Sequence, residues 1–166
     1  MDLAPTEMPS VPDLDLAVRG FDPADTNFIF NTWLLSFRKR VHTLPDCIYF
    51  PRQQALIAHL CQRSQAAVAC SRQDPSFILG YVIAEPLEAT MAHAAVTVHF
   101  AFTKYSYRKL GIARCLLRTF GWDHSNRPIW LTHWTSSARK ISEAGKLPLV
   151  NNFYPLIEGS RGMVTV

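Results

Sequence analysis

The sequence predicts a mixed α/β domain, on three observations. Its periodic segments run strand, two helices, three strands, helix, strand, helix, strand. A β-branched, alternating run, Val96-Thr97-Val98-His99-Phe100-Ala101-Phe102-Thr103, passes through a short polar turn into a helix. At 166 residues, with 48% hydrophobic and 18% charged content, the chain suits one soluble globular domain with a sizeable core.

Each element has its own signal. Residues 1–13, with three prolines, read as a flexible arm ahead of a single domain over 14–166. Residues 14–18 alternate and suit a first strand. Asp22-Pro23-Ala24-Asp25-Thr26 supplies turn and N-cap residues. From 27 to 40, Phe30, Trp33, Leu34 and Phe37 fall at i, i+3, i+4 and i+7, one apolar helix face. Its terminal Arg38-Lys39-Arg40 sits where the helix dipole favours cations. Pro51 starts a second helix to about residue 63, with Leu56, Ile57, Leu60 and Cys61 inward. Residues 66–71 and 77–84 form an antiparallel hairpin through Asp74-Pro75, and residues 91–103 are the longest strand. A helix over 111–121 follows, then a strand over 129–134. A short helix capped by Ser136 or Ser137 ends near Gly145. A last strand over 149–157 carries Pro155, which marks an edge or a bulge.

Net charge of +4 and a pI near 9.0 favour anionic partners. No Lys/Arg-rich run extends beyond Arg38-Lys39-Arg40, so a nucleic-acid-binding domain is the weakest functional class. The cysteines Cys47, Cys61, Cys70 and Cys115 contain no C-x-x-C pair and read as reduced, mostly buried thiols of a cytoplasmic protein. No apolar run approaches a membrane span, and residues 1–13 lack the composition of a signal peptide. The six histidines show no metal-ligand spacing, so no metal is expected.

The stretch Arg108-Lys109-Leu110-Gly111-Ile112-Ala113 fits one specific chemical job. Glycine lets backbone come close to a ligand, and the N–H groups of an opening helical turn can point at an anion. The helix dipole adds positive potential there, which makes the turn a pyrophosphate site. Gly111 is accordingly expected to have no room for a side chain.

This pattern, Arg/Gln-x-x-Gly-x-Gly/Ala after a long strand and opening a helix, resembles the acetyl-CoA-binding motif of GNAT N-acetyltransferases. Arg108, Gly111 and Ala113 match it in type and spacing. The element order is also that of the GNAT fold, so the resemblance covers nearly the whole chain. It implies a mixed, mostly antiparallel central sheet flanked by helices, with a splay between the fourth and fifth strands after a bulge in the fourth. The family usually ends in a hairpin for which this tail is too short. Trp33 and Ser36, Thr132-His133-Trp134 and Asn152-Phe153-Tyr154-Pro155 are also similar to small phage-encoded GNAT-like proteins.

The resemblance implies that backbone groups of Phe102, Thr103 and Lys104 pair with the pantetheine amides of acetyl-CoA. Backbone N–H groups of Arg108, Lys109, Leu110, Gly111, Ile112 and Ala113 would hold the pyrophosphate, and an N–H near Ala101 or Phe102 would serve as oxyanion donor. The implied activity is direct transfer of acetyl to an amine of a small molecule or protein, by a monomer or dimer. The alternative is an inactive descendant that keeps the cofactor site and, if phage-encoded, engages a host factor in the host cytoplasm.

Direct transfer needs a proton acceptor for the amine and a donor for the leaving thiolate. Many family members use a glutamate on the fourth or fifth strand. Here Glu85 and Glu88 precede the fourth strand and no acid lies in 129–134. Histidine can take that role, because its pKa lies near neutrality. His133 is expected nearest the thioester, because its strand borders the cleft. His99 is expected upstream of any bulge, on a face with Thr97, Ala101 and Thr103. The family's usual acid is a tyrosine on the helix after the fifth strand; residues 136–145 contain none, and Tyr154 is the nearest later candidate.

Overall fold

The computed structural model describes residues 15–38, 44–86, 96–122, 128–145 and 148–151. The expectations for residues 1–13, for Lys39 and Arg40, for residues 91–95 and for Tyr154 lie outside them.

Six strands form one sheet in the order β1-β2-β3-β4-β5-β6. They are β1 (Leu16–Gly20), β2 (Gln65–Ser71), β3 (Ile78–Pro86), β4 (Val96–Thr103), β5 (Ile129–Leu131) and β6 (Leu149–Asn151). The first four run antiparallel to one another, whereas β5 is parallel to β4 and β6 to β5. The sheet is therefore mixed and mostly antiparallel. The helices are α1 (Thr26–Arg38), α2 (Asp46–Arg63), α3 (Ile112–Arg118) and α4 (Ser136–Glu143).

Strand alternation sends apolar side chains to both faces of the sheet. On one face Val82, Ala84, Val96, Val98 and Ile129 pack with Leu116, Leu117 and Phe120 at α3. On the other, Tyr81 and Ile83 pack with Ile29, Trp33 and Leu34 of α1 and Ile57 and Leu60 of α2. Trp33 is fully buried and stacks on Phe100 of β4 at 4.7 Å, so α1 is fixed directly against the strand that carries the site.

The entry to α1 is tied down by one buried carboxylate. Asp25 receives two hydrogen bonds from the Arg19 guanidinium, at 2.7 and 2.8 Å, and one from the Asp22 N–H at 2.9 Å. Arg19 also donates to the Pro75 carbonyl, which joins β1, the start of α1 and the β2–β3 loop. Burial pushes the Asp25 carboxyl up, but the Arg19 and Asp22 hydrogen bonds and the Arg19 charge outweigh it and leave it below the usual carboxylate value. A depressed carboxylate stabilises the fold fully above the unfolded value, about 3.9, and loses that contribution as pH falls through the folded value. Asp25→Ala is expected to cost about 2–4 kcal/mol at neutral pH, since it strands Arg19 and the Asp22 N–H. Urea melts at several pH values check this: the gap between parent and variant should narrow below about pH 4.

Several boundaries differ from the sequence reading. β1 occupies Leu16–Gly20 and runs two residues past the expected end at 18, because its ladder with β2 carries an edge strand on through Arg19 and Gly20; residue 14 lies outside the described residues. α1 buries Ile29, Trp33 and Leu34, while Phe30 and Phe37 pack at the margin of that cluster. α2 begins at Asp46, behind Pro45 at its N-cap, and Pro51 lies inside the helix. The missing Pro51 N–H is offset by tertiary contacts of the first turn: Tyr49 donates to the Leu34 carbonyl at 2.8 Å, and Asp46 pairs with Arg38 at 2.7 Å. α3 stops at Arg118, and Gly121 turns the chain at a φ of 78°. β5 ends at Leu131, and the cap of α4 is Thr135, whose hydroxyl accepts the Ala138 N–H at 2.9 Å. The cysteines are free, but only Cys70 is buried, Cys47 is exposed and the other two are half-buried. Among the described residues no helix is long and apolar enough to cross a membrane.

Candidate functional site

β4 and β5 part company part-way along β4. Their parallel pairing covers Val96↔Ile129, Thr97↔Trp130 and Val98↔Leu131 only, and a Thr132 N–H to the Val98 carbonyl, 3.1 Å, closes it. β4 runs on to Thr103 without β5 beside it. The splay therefore opens at His99.

A bulge lies at the same residue. Ile83 pairs with Phe100 while Ala84 pairs with Val98, so His99 is the extra residue of β4. This corrects the expectation that His99 lies upstream of any bulge. The inserted residue also shifts the side-chain alternation by one, which breaks the expected grouping of His99 with Ala101 and Thr103. Beyond the bulge Phe100 and Phe102 pack on the α1 face, whereas Val96 and Val98 belong to the α3 face.

The backbone of β4 shows which peptide groups face the gap. The Lys104 N–H is donated to the Leu79 carbonyl at 2.8 Å, and the Lys104 carbonyl accepts from Tyr107 N–H at 2.9 Å. In an antiparallel pair, successive residues alternate between facing the partner strand and facing away. Phe102 therefore turns its backbone to β3 as Lys104 does, while Ala101 and Thr103 turn theirs to the side that β5 has left. Of Phe102, Thr103 and Lys104, only Thr103 presents backbone to the gap. Ala101, rather than Phe102, turns its N–H toward the gap.

The strand leads directly into the glycine turn. After a single 3-10 turn at Tyr105–Tyr107, Arg108 is extended, Lys109 has a φ of 68° and Gly111 one of 81°. Two left-handed residues within three positions reverse the chain into α3. A non-glycine residue there costs about 1–2 kcal/mol, so Lys109 holds its conformation against its own preference. No side chain caps α3, and its first backbone bond runs from Cys115 N–H to the Gly111 carbonyl. The N–H groups of Ile112 and Ala113 thus have no acceptor within the helix. Ile112 is buried in the core and anchors the turn, and Gly111 and Ala113 are exposed. Two cationic side chains come from the segment leading into it. The Arg108 Nε donates to the Thr103 carbonyl at 3.2 Å, its guanidinium lies over Tyr105, and the Lys104 ammonium sits 4.0 Å from the Phe77 ring centroid.

One expectation about this turn needs correcting. A Cβ on Gly111 would meet nothing within 4 Å, so the fold itself does not crowd that position. The positive φ is what calls for glycine there.

Two histidines border the gap. His133 lies beyond the end of β5; its Nδ1 is 3.0 Å from the Thr132 hydroxyl and its ring meets Phe37 edge-on at 4.5 Å. His99 is 3% exposed, and its Nε2 lies 3.3 Å from a Glu85 carboxylate oxygen. That oxygen accepts a hydrogen bond from the Ser64 hydroxyl at 3.1 Å. Glu85 lies on β3, outside the fourth and fifth strands where the resemblance places a glutamate. The register of the β3–β4 ladder sets it opposite Thr97.

No family model matches the sequence, and no curated protein matches it either. Solved structures do match. An acetyltransferase of the GNAT family from Staphylococcus aureus superposes with a TM-score of 0.50 at 17% identity, over 78% of this chain and 83% of that one. A histone acetyltransferase HPA2 and related acetyltransferase from Corynebacterium glutamicum gives 0.53 at 16% identity, over 78% and 83%. The chain has the GNAT N-acetyltransferase fold. At these identities the likeness is one of fold. The β4–β5 gap at His99 is consistent with the splay of that fold.

Proposed function

We propose that this protein is an acetyl-CoA-dependent N-acetyltransferase that moves an acetyl group directly to an amine of a small-molecule or protein acceptor. One observation carries the reading. The strand whose Ala101 and Thr103 backbone faces the splay leads through a single 3-10 turn into a left-handed turn and an uncapped helix start.

These residues fit coenzyme A. Thr103 has a strand-like peptide group turned toward the gap, as an extended pantetheine arm with its own amides requires. The turn at 108–113 offers backbone N–H groups and nearby cationic side chains to a pyrophosphate. When bound, the coenzyme supplies a thioester open to attack by an amine. The Ala101 N–H is placed to hold the oxygen on which negative charge develops; losing such a donor typically costs about 3 kcal/mol of barrier.

The test is a panel of free amines, comprising glycinamide, spermidine and a peptide with an unblocked N-terminus, incubated with acetyl-CoA and read by release of the coenzyme's free thiol. Turnover of at least one amine is expected. Saturable acetyl-CoA binding with no turnover would instead make the chain a regulatory protein that keeps the cofactor site.

A further inference from the structure

We propose that the acceptor is a monoamine carried on an aromatic group, and that Phe37 of α1 selects it. This deepens, and rests on, the acetyl-transfer reading above.

The geometry starts where the strands part. Val98↔Leu131 is the last pair of the β4–β5 ladder. Phe100 and His133 each lie two positions beyond that pair, one on either side of the opening. Phe37 touches both. Its ring meets that of His133 edge-on at 4.5 Å and that of Phe100, tilted, at 5.9 Å. It therefore spans the mouth of the splay on the face that α1 covers. All three side chains are half-buried, so each keeps surface for a ligand.

This aromatic wall is braced from behind. Trp33, fully buried one turn earlier in α1, stacks on Phe100 at 4.7 Å, and Tyr81 of β3 packs against the same ring at 5.9 Å. The Thr132 hydroxyl, 3.0 Å from His133 Nδ1, orients the imidazole. Rings held in this way lose little freedom when a ligand settles on them. They take a further ring by stacked or edge-on contact, and an ammonium by its charge against a ring face.

Charge narrows the class of amine. Arg38, the next residue of α1, is half-buried and carries a guanidinium 5.3 Å from the Tyr49 ring centroid. The Asp46 carboxylate is engaged by that guanidinium at 2.7 Å. Glu85 sits opposite Thr97, behind the opening, and accepts from the Ser64 hydroxyl. Asp15 and Asp25 pair with Arg72 and Arg19 at the β1 edge of the sheet. A polyamine brings a second ammonium that needs a carboxylate, and near Arg38 it meets like charge instead. An aromatic monoamine brings one ammonium and an apolar body that suits the wall. The transfer balances: nitrogen bonds to the thioester carbon, the carbon–sulfur bond breaks, nitrogen sheds a proton and the thiolate takes one up.

Phenethylamine is the probe on the intact chain, with spermidine and glycinamide for comparison. In the parent, kcat/KM for phenethylamine should exceed that for spermidine by at least about tenfold. Phe37→Leu keeps apolar bulk and removes the ring. It should raise KM for phenethylamine about three- to tenfold, and leave KM for glycinamide and acetyl-CoA affinity within about twofold. Spermidine turned over as well as phenethylamine overturns the proposal, as does a Phe37→Leu that weakens phenethylamine and glycinamide alike. Ring-proton NMR of the parent saturated with coenzyme A gives a readout independent of turnover. Saturable shifts at Phe37 and His133 on adding phenethylamine uphold the aromatic acceptor, and unmoved rings overturn it. Calorimetry separates the deeper failure: a parent that does not bind acetyl-CoA removes the transferase reading itself, and this proposal with it.

Discussion

Gly111→Glu should abolish acetyl-CoA binding and leave the domain folded. The two halves of that expectation have separate causes. Folding survives because a Cβ at this position meets nothing within 4 Å, and the residue is exposed. What it must bear is a φ of 81°, which costs a side-chain-bearing residue about 1–2 kcal/mol, within the stability of an ordinary domain. Binding is lost because the new carboxylate stands among the N–H groups that would meet the pyrophosphate and sets like charge against it. Gly111→Ala is the control. It carries the same strain without the charge, and its affinity should fall by no more than about tenfold, the equivalent of about 1.4 kcal/mol. Calorimetry with circular-dichroism melts reads both variants. A folded Gly111→Glu protein that binds acetyl-CoA like the parent would show that the turn does not hold the phosphates.

His133→Ala should lower turnover by at least about 100-fold, with acetyl-CoA affinity within a few-fold of the parent. The sequence alone favours His133, since the strand before it borders the cleft. Burial is a reason for the same order: both ring nitrogens of His99 are fully buried, out of reach of an incoming amine. His133 is half-buried past the end of β5, against Phe37 and the Thr132 hydroxyl. His99→Ala should therefore cost less. Rates for both variants across pH 6 to 9 decide the matter. A larger loss in His99→Ala, or parent-like rates in His133→Ala, would move the base elsewhere.

The segment from Val96 to Ala113 was legible in the sequence because each part of it is local. Alternation declares the strand, and a glycine followed by small and apolar residues declares the helix start. Gly111 is the right residue there, although what the fold demands of it is a positive φ rather than space. The bulge at His99 could not be read in the same way. It exists only as a mismatch between two strands, Ala84↔Val98 followed by Ile83↔Phe100, and nothing in either strand alone marks it. The place of Glu85 beside β4 comes likewise from the residue across the ladder. The start of α2 was missed where a tertiary contact prevailed over a local rule. Pro51 resembles a first helical residue, but Tyr49 reaching the Leu34 carbonyl and Asp46 meeting Arg38 extend the helix back to Asp46. β5 proved short because its three-residue parallel pairings end where β4 departs.

Backbone amide chemical shifts recorded while acetyl-CoA is titrated into the intact chain test the central claim most directly. Saturable changes should concentrate at Ala101 and Thr103 on β4 and at residues 109–113 of the turn. Unmoved amides there at saturating acetyl-CoA would contradict the account. So would changes centred instead on the shallow groove between the end of β1 and the end of α3, at Val18, Gly20, Gln65 and Thr119.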